Sequence, residues 1–371
     1  MKKMLAFCLT IAAAVSFSAC GGYGGSSAST EASKTASTAA EEGSTETDAS
    51  SSAASEDPYP DLDHYTMKFA NWFGEDHPQN QALTKLAADV EEKSGGHLKI
   101  ELYPNSQLGS EDVYIDSIRE GTVEMACHGT MMAEYCPGIN VAECPFLFDS
   151  WEHAQATLGG EIGQEITKDL PEKGGVRCLA WTANGFRVVS SSKQTQSVED
   201  LVGQRIRIPT TPLYVKTFSA LGVNPVSMTL SETYTAMETN VVDGQDNPYA
   251  TDRASAFYEV QKYILETNHM FSPVEWCINE AYYQNLPDEL KEVLSSCVKD
   301  AADYEWQLAI ESEQEDKKFL QEQGMTVTEC TDDMRKQMID KVTAGGVYDW
   351  LYGEYPGTEQ LADEIRNYQK S

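Results

Sequence analysis

Long apolar runs are scarce in this sequence, and basic residues are scarcer. Beyond the first twenty residues no segment approaches eighteen consecutive apolar positions, so no later helix is expected to span a membrane. Lysine and arginine total 27 against 59 acidic residues, a formal charge of -32. So acidic a chain is not expected to bind nucleic acid or anionic lipid. A small anion is not excluded, because surface charge is screened over about 8 Å at physiological salt and a few buried arginines can govern a pocket. No cysteine pair reads C-x-x-C and no histidine stands at zinc spacing, so neither a metal site nor a cofactor is expected. G-x-S-x-G, H-E-x-x-H, a P-loop and a strand-following G-x-G-x-x-G are all missing. Cys127 and His128 are adjacent, but neighbours on a strand point to opposite faces and make a poor nucleophile pair. No catalytic residue is assigned, and the chain is not expected to be an enzyme.

The N-terminus carries a different signal. Lys2 and Lys3 precede an apolar run from Leu5 to Phe17, and Ser18-Ala19 precede Cys20. This is the pattern of a signal peptide over residues 1–19, and Cys20-Gly21-Gly22 resembles a lipobox in which the cysteine is lipidated. Phe17 stands where an aliphatic residue is usual, so an ordinary cleaved signal is the alternative. Residues 20–57 are mostly Ser, Thr, Ala, Gly and Glu, a composition too poor in apolar groups to fold and read as a flexible tether. The expectation is a body outside the cytoplasm, anchored to the outer face of the cell membrane through lipid alone. Loss of the signal segment removes two lysines and leaves 25 basic against 59 acidic residues, a charge of -34. Seven cysteines remain in the body, most of them expected as small core residues, with one or two unassigned disulfides possible.

From Pro58 onward about 310 residues suffice for two domains. Strand patterns in YTMKFANWF, HLKIELYP, the short stretch 123–127, VRCLAWTANG, FRVVSSS, QRIRIP, NPVSM and VVDGQDN alternate with helical ones over 78–93, 111–120, 152–170, 213–221, 231–240 and 254–265. Alternation of this kind predicts α/β layers with mostly parallel sheets. Ser231 is the expected N-cap of its helix, and Asn240 its left-handed stop. After Pro287 there is neither glycine nor proline through Gln323, which predicts one helix of about 55 Å at 1.5 Å per residue, long enough to lie across both domains. The expected division is domain I at 58–186 plus 273–312 and domain II at 187–272 plus 313–371, with the ligand cleft between them.

Three stretches carry the chemistry. In RIRIP, period two puts Arg205 and Arg207 on one face, and Pro209 places Arg207 at the carboxyl end of the strand. Arg187 follows the break at Asn184-Gly185, and Asn247 precedes Pro248 at the end of another strand. Ligands of open α/β sheets bind outside the carboxyl ends of strands. Two guanidinium forks and an amide suit a carboxylate. Arg205 is left to an ordinary pairing with a nearby acid.

These stretches resemble the DctP family, the solute-binding proteins of tripartite ATP-independent periplasmic (TRAP) transporters. The likeness covers nearly all of the body. It is densest from LAWTANGFRVVSSSK through DGQDNPYA to EVQKYILETNH, with LYPNSQLGSE and CPFLFDSWEHA as earlier blocks. The resemblance implies a two-domain periplasmic-binding-protein-like flytrap with a long C-terminal helix spanning both domains. It also implies a bidentate pairing of Arg207 with a ligand carboxylate, supported by Arg187 and Asn247. For the rest of the ligand the candidates are Trp72, Glu75 and His77 after the first strand, and Tyr214. Asn240 replaces a frequent glycine and Cys144 a usual leucine. CHGTMM lacks a central acid, which argues against a sialic-acid-type site. The implied role is capture of a uronate, an aldonate or a C4-dicarboxylate by a monomer, and its delivery to the small and large membrane subunits. Sugar acids are favoured because the His, Glu, Trp and Tyr candidates suit hydroxyls and a ring face. A lyase-like surface enzyme on acidic sugars, or a flytrap feeding a sensor kinase, are the alternatives.

Overall fold

The alternation in YTMKFA and LKIELY builds the first parallel pair. In the computed structural model, which describes residues 57–368, β1 (Tyr65–Ala70) and β2 (Leu98–Tyr103) pair from Tyr65 opposite Leu98 to Ala70 opposite Tyr103. The expected signal segment, Cys20 and nearly all of the tether lie outside the described residues. Between these strands the helix Pro78–Lys93 starts on its proline and buries Ala82, Leu83, Leu86 and Val90 in one cluster with Met67, Phe69, Leu98 and Ile100. The strand β3 (Met125–His128) joins parallel to β1, while β10 (Phe271–Asn279) runs antiparallel to both β3 and β4 (Val176–Phe186). The first sheet is therefore β2-β1-β3-β10-β4.

The second sheet contains β5 (Val188–Ser191), β6 (Arg205–Ile208), β7 (Asn224–Ser227), β8 (Gly244–Asn247), β9 (Tyr263–Glu266) and β11 (Thr326–Glu329), ordered β11-β9-β5-β8-β6-β7. Here β5 is antiparallel to both of its neighbours. Both sheets are mixed, which corrects the mostly parallel expectation. The sequence hides β10 because it carries Pro273 and Glu275. The proline is tolerated where the register shifts between Ser272 and Pro273, a bulge at which a missing donor costs little.

Other expectations need correction too. The helix expected over 152–170 is three, Trp151–Leu158, Glu161–Thr167 and Leu170–Lys173, interrupted at Gly159-Gly160 and again before Pro171. The helix expected over 254–265 is instead Tyr249–Ala254, a turn at Ala256 with φ of 53°, and then β9. The cap of the helix Leu230–Glu238 is Thr229, not Ser231, with Glu232 closing a capping box. Asn240 does take the left-handed conformation, φ 58°. All seven body cysteines are unpaired, and five of them are buried. Cys178 and Cys277 face each other across β4 and β10 as free thiols.

The long helix forms as one element, Asp288–Glu322. It packs on the helix Pro78–Lys93 and on β4 at the first sheet, and on Tyr249–Ala254 beside the second. Besides this helix the chain passes between sheets twice, from β4 to β5 through Arg187 and from β9 to β10 through residues 267–270. The two passages are joined where the Arg187 N–H donates to the Met270 carbonyl at 2.9 Å. Gly185 precedes the first passage with φ 120°, and a Cβ there would lie 2.8 Å from the Trp151 ring. Only glycine fits that conformation in that space. No described helix is long and apolar enough to cross a membrane.

Candidate functional site

Where the two sheets face each other, one cavity collects residues from both. Trp72, Glu111, Glu143 and Asn184 line it together with Arg187, Arg207, Tyr214 and Asn247. Five of the seven sequence candidates for ligand contact are thus brought together. The other two are not. Glu75 is exposed outside the lining, and His77 is buried beside it. The Nδ1 of His77 accepts from the Gln79 N–H at 3.2 Å as a helix cap, and its Nε2 donates to Asn184 Oδ1 at 3.1 Å. Burial pushes its pKa down to about 3, so it stays neutral. His77 therefore acts on the cavity only by orienting Asn184.

The two arginines differ in their commitments. Arg187 donates through Nε to Asp246 Oδ2 and through Nη2 to the Asp246 carbonyl, both at 2.6 Å. It also donates to Ser272 Oγ and Asn247 Oδ1, each at 3.2 Å. Burial works against its charge, but Asp246 outweighs it and the pKa is raised. For Asp246, burial alone would raise the pKa; Arg187 and His269 outweigh that and hold it at about 2. Arg187 is a compensated cation whose fork is already taken.

Arg207 has no such partner. Its Nε and Nη2 both donate to one neutral acceptor, the Met228 carbonyl, at 3.0 and 2.7 Å, and its Nη1 meets no acceptor among the described residues. The ion pairs nearby belong to Arg187 with Asp246 and to Arg205 with Asp243, so Arg205 is spent on an ordinary pairing. Arg207 is 4% exposed. Burial lowers its pKa to about 10, only partly offset by the more distant Asp246 and worsened by Arg187. It remains charged at neutral pH, at a cost that an anion in the cavity would remove. Thr229, Leu230 and Ser231 also line this wall, so the first turn of the helix Leu230–Glu238 adds its partial positive charge on the same side.

Asn247 sits opposite Val188 in the β8–β5 pair. Its Oδ1 accepts from Arg187 and its Nδ2 donates to Gln245 Oε1 at 2.6 Å, which fixes which end of the amide points where. Tyr214 is fully buried, with the Arg187 guanidinium 5.0 Å from its ring centre and its hydroxyl without a hydrogen-bond partner. Trp72, tilted against Phe73, offers a half-buried ring on the opposite wall.

Sequence reasoning missed Glu143 and Asp246. Glu143 is 2% exposed with its Oε2 unpartnered, and burial pushes its pKa up to about 8 against the pull of Arg187. A single acid inside the apolar run INVAECPFLF was the available signal. For Asp246 the signal was its place between Gln245 and Asn247 in a strand buried on both faces, where a charge needs a counter-ion.

Residues 69–348 match the family described as bacterial extracellular solute-binding protein, family 7 (DctP). A TRAP periplasmic solute-binding protein of Haemophilus influenzae with bound L-gulonate is 34% identical, with a TM-score of 0.78 over 81% of this chain and 98% of that one. A counterpart from Roseobacter denitrificans with bound L-galactonate is 30% identical, with a TM-score of 0.75 over 81% and 99%. The 2,3-diketo-L-gulonate-binding periplasmic protein of Escherichia coli is 32% identical over 74% of this chain and 84% of its own length. With the two-sheet architecture, the long helix and the arginine-lined cavity already described, these likenesses place the chain in the DctP family of TRAP solute-binding proteins.

Proposed function

We propose that this chain captures a sugar acid outside the cytoplasm and delivers it unchanged to the membrane subunits of a TRAP transporter. One observation carries the substrate class. In a chain of charge -32, Arg207 is a buried cation on the cavity wall that no described carboxylate pairs with. In this reading the ligand carboxylate supplies that pairing. Arg187, held by Asp246, and Asn247 bound the same end of the site, while Trp72 offers a ring face and Tyr214 a hydroxyl. The opposite wall carries Glu111 and Asp112, which favours a hydroxylated tail over a second carboxylate and sets monocarboxylic sugar acids above C4-dicarboxylates. The relatives described with L-gulonate, L-galactonate and 2,3-diketo-L-gulonate support the same class. Binding without turnover sets this reading apart from a lyase. Lipidation of Cys20 would keep the body, as a monomer, at the outer face of the membrane.

The test is thermal melting of the body from Pro58 onward against aldonates, uronates, C4-dicarboxylates, amino acids and neutral sugars. A ligand at a hundred times its Kd adds about 2.7 kcal/mol, and the expected shift is confined to sugar acids. A shift with neutral sugars or amino acids alone would contradict the arginine assignment.

A further inference from the structure

Glu143 and Tyr214 present a combination that the carboxylate site does not use. Both line the same cavity, both are buried, at 2% and 0% exposure, and both end in an oxygen without a hydrogen-bond partner. They lie beside each other, near enough for the hydroxyl and the carboxyl to attract one another without closing a well-formed hydrogen bond, and beside Arg187, whose guanidinium is over the Tyr214 ring at 5.0 Å. They therefore sit at the end of the cavity where the carboxylate is held, not at its tail. Native proteins rarely leave buried polar oxygens unmet, so two adjacent ones facing a cavity mark groups that a ligand completes.

The kind of group that completes them follows from their chemistry. A tyrosine hydroxyl donates one hydrogen bond, and a carboxyl oxygen accepts one. A ligand hydroxyl both donates and accepts, so one hydroxyl satisfies both residues. A methylene satisfies neither. A second carboxylate accepts only, so it offers no donor to an acceptor oxygen of Glu143, and the carboxylates of Glu111 and Asp112 lie further along the wall. The hydroxyl within reach of groups that flank the bound carboxylate is the one on the adjacent carbon.

We propose that Glu143 and Tyr214 are specificity-determining residues that together read the hydroxyl next to the ligand carboxylate, selecting 2-hydroxy acids over their 2-deoxy counterparts. This inference rests on the sugar-acid reading above. Glu143 does so as a neutral acid at physiological pH, since burial keeps its proton on, and it therefore does not repel the carboxylate at Arg207.

The experiment compares L-gulonate and L-galactonate, each with its 2-deoxy form, by calorimetry on wild type, Tyr214→Phe, Glu143→Leu and Glu143→Gln. A site built around a hydroxyl rejects the analogue lacking it, because its own groups are then left unpaired. The wild type is expected to prefer at least one hydroxy acid by roughly tenfold or more. Tyr214→Phe and Glu143→Leu should weaken the hydroxy acid and leave the deoxy form nearly unchanged, whereas Glu143→Gln, which still accepts, should keep the preference. Equal binding of both forms by wild type, or full preference in both Tyr214→Phe and Glu143→Leu, overturns the inference while sugar-acid binding stands. Absence of binding to every carboxylate tested overturns the functional reading, and this inference with it. Should Glu143→Leu fail to fold by melting, Tyr214→Phe decides alone.

Discussion

At the scale of single residues, the two cavity arginines make opposite contributions to the empty protein. Arg187 and Asp246 are a buried pair at 2.6 Å. Removal of one partner from such a pair strands the other, at a cost of about 3–5 kcal/mol. Arg207 pairs with no described carboxylate and bonds only the Met228 carbonyl, which borders the cavity and can be met by water. The expected outcome is that Arg187→Met lowers the melting temperature sharply, while Arg207→Met leaves it unchanged or raised. For ligand the ranking reverses in kind. Arg207→Met, and Arg207→Lys, which cannot form the planar fork, should lose sugar-acid affinity by roughly a hundredfold, two charge-assisted bonds being worth at least about 1.5 kcal/mol each. Melting curves with and without ligand check both halves. An Arg207→Met protein that binds like wild type would remove the cavity assignment.

At the scale of elements, the long helix carries a titratable device. Glu305 is fully buried, accepts from the Ala183 N–H at 2.9 Å through Oε2, and leaves Oε1 unmet. Burial pushes its pKa up to about 8 from an ordinary 4.5. The folded state thus holds a proton that the unfolded chain gives up. The contribution of this group to stability is complete below about pH 4.5 and is lost as pH rises through about 8. Glu143 adds a contribution of the same sign. Melting temperature should therefore fall between pH 5 and pH 8.5, and Glu305→Gln, which keeps an acceptor for Ala183, should flatten that fall. An unaltered slope in the variant would show that Glu305 does not titrate there.

The same helix shows what the sequence made legible. A run without glycine or proline after Pro287 as far as Gln323 has one local reading, and the helix forms over Asp288–Glu322. The strand RIRI and the helices 78–93 and 111–120 were equally local and equally clear. By contrast β10 was illegible, because its proline is accommodated by a bulge, a tertiary effect, and Glu275 breaks the apolar pattern of a strand that is nonetheless buried along its whole length. The site divided the same way. Strand ends placed Arg187, Arg207 and Asn247, whereas Glu143 comes to the cavity through packing between distant segments, as when the Phe146 N–H donates to the His269 carbonyl at 2.9 Å. His77 misled because a histidine before Pro78 serves the helix start as well as it would serve a ligand.

At the scale of the whole molecule, the passages between the sheets converge on the site. Arg187 is itself the residue between β4 and β5, and its N–H bonds the second passage at Met270. A ligand held by Arg207 on one wall and touching Trp72 on the other gains contacts from both sides when the walls approach. Differential contact of this kind is what shifts a protein between an open and a closed state. Hinge motion needs few residues with freedom to turn, and the segment Asn184–Val188 contains Gly185 at φ 120° against Trp151. We therefore expect the body to close on binding, the first sheet and the elements packed on it, Leu351, Ala362 and Ile365 among them, moving against the second sheet. Small-angle scattering of the body from Pro58 onward should give a smaller radius of gyration with saturating sugar acid than without. Gly185→Ala should impair this, since the added Cβ meets the Trp151 ring at 2.8 Å and the chain must shift at the passage itself. An identical scattering profile with and without ligand, at concentrations where melting shows the site occupied, would mean that capture proceeds without domain movement.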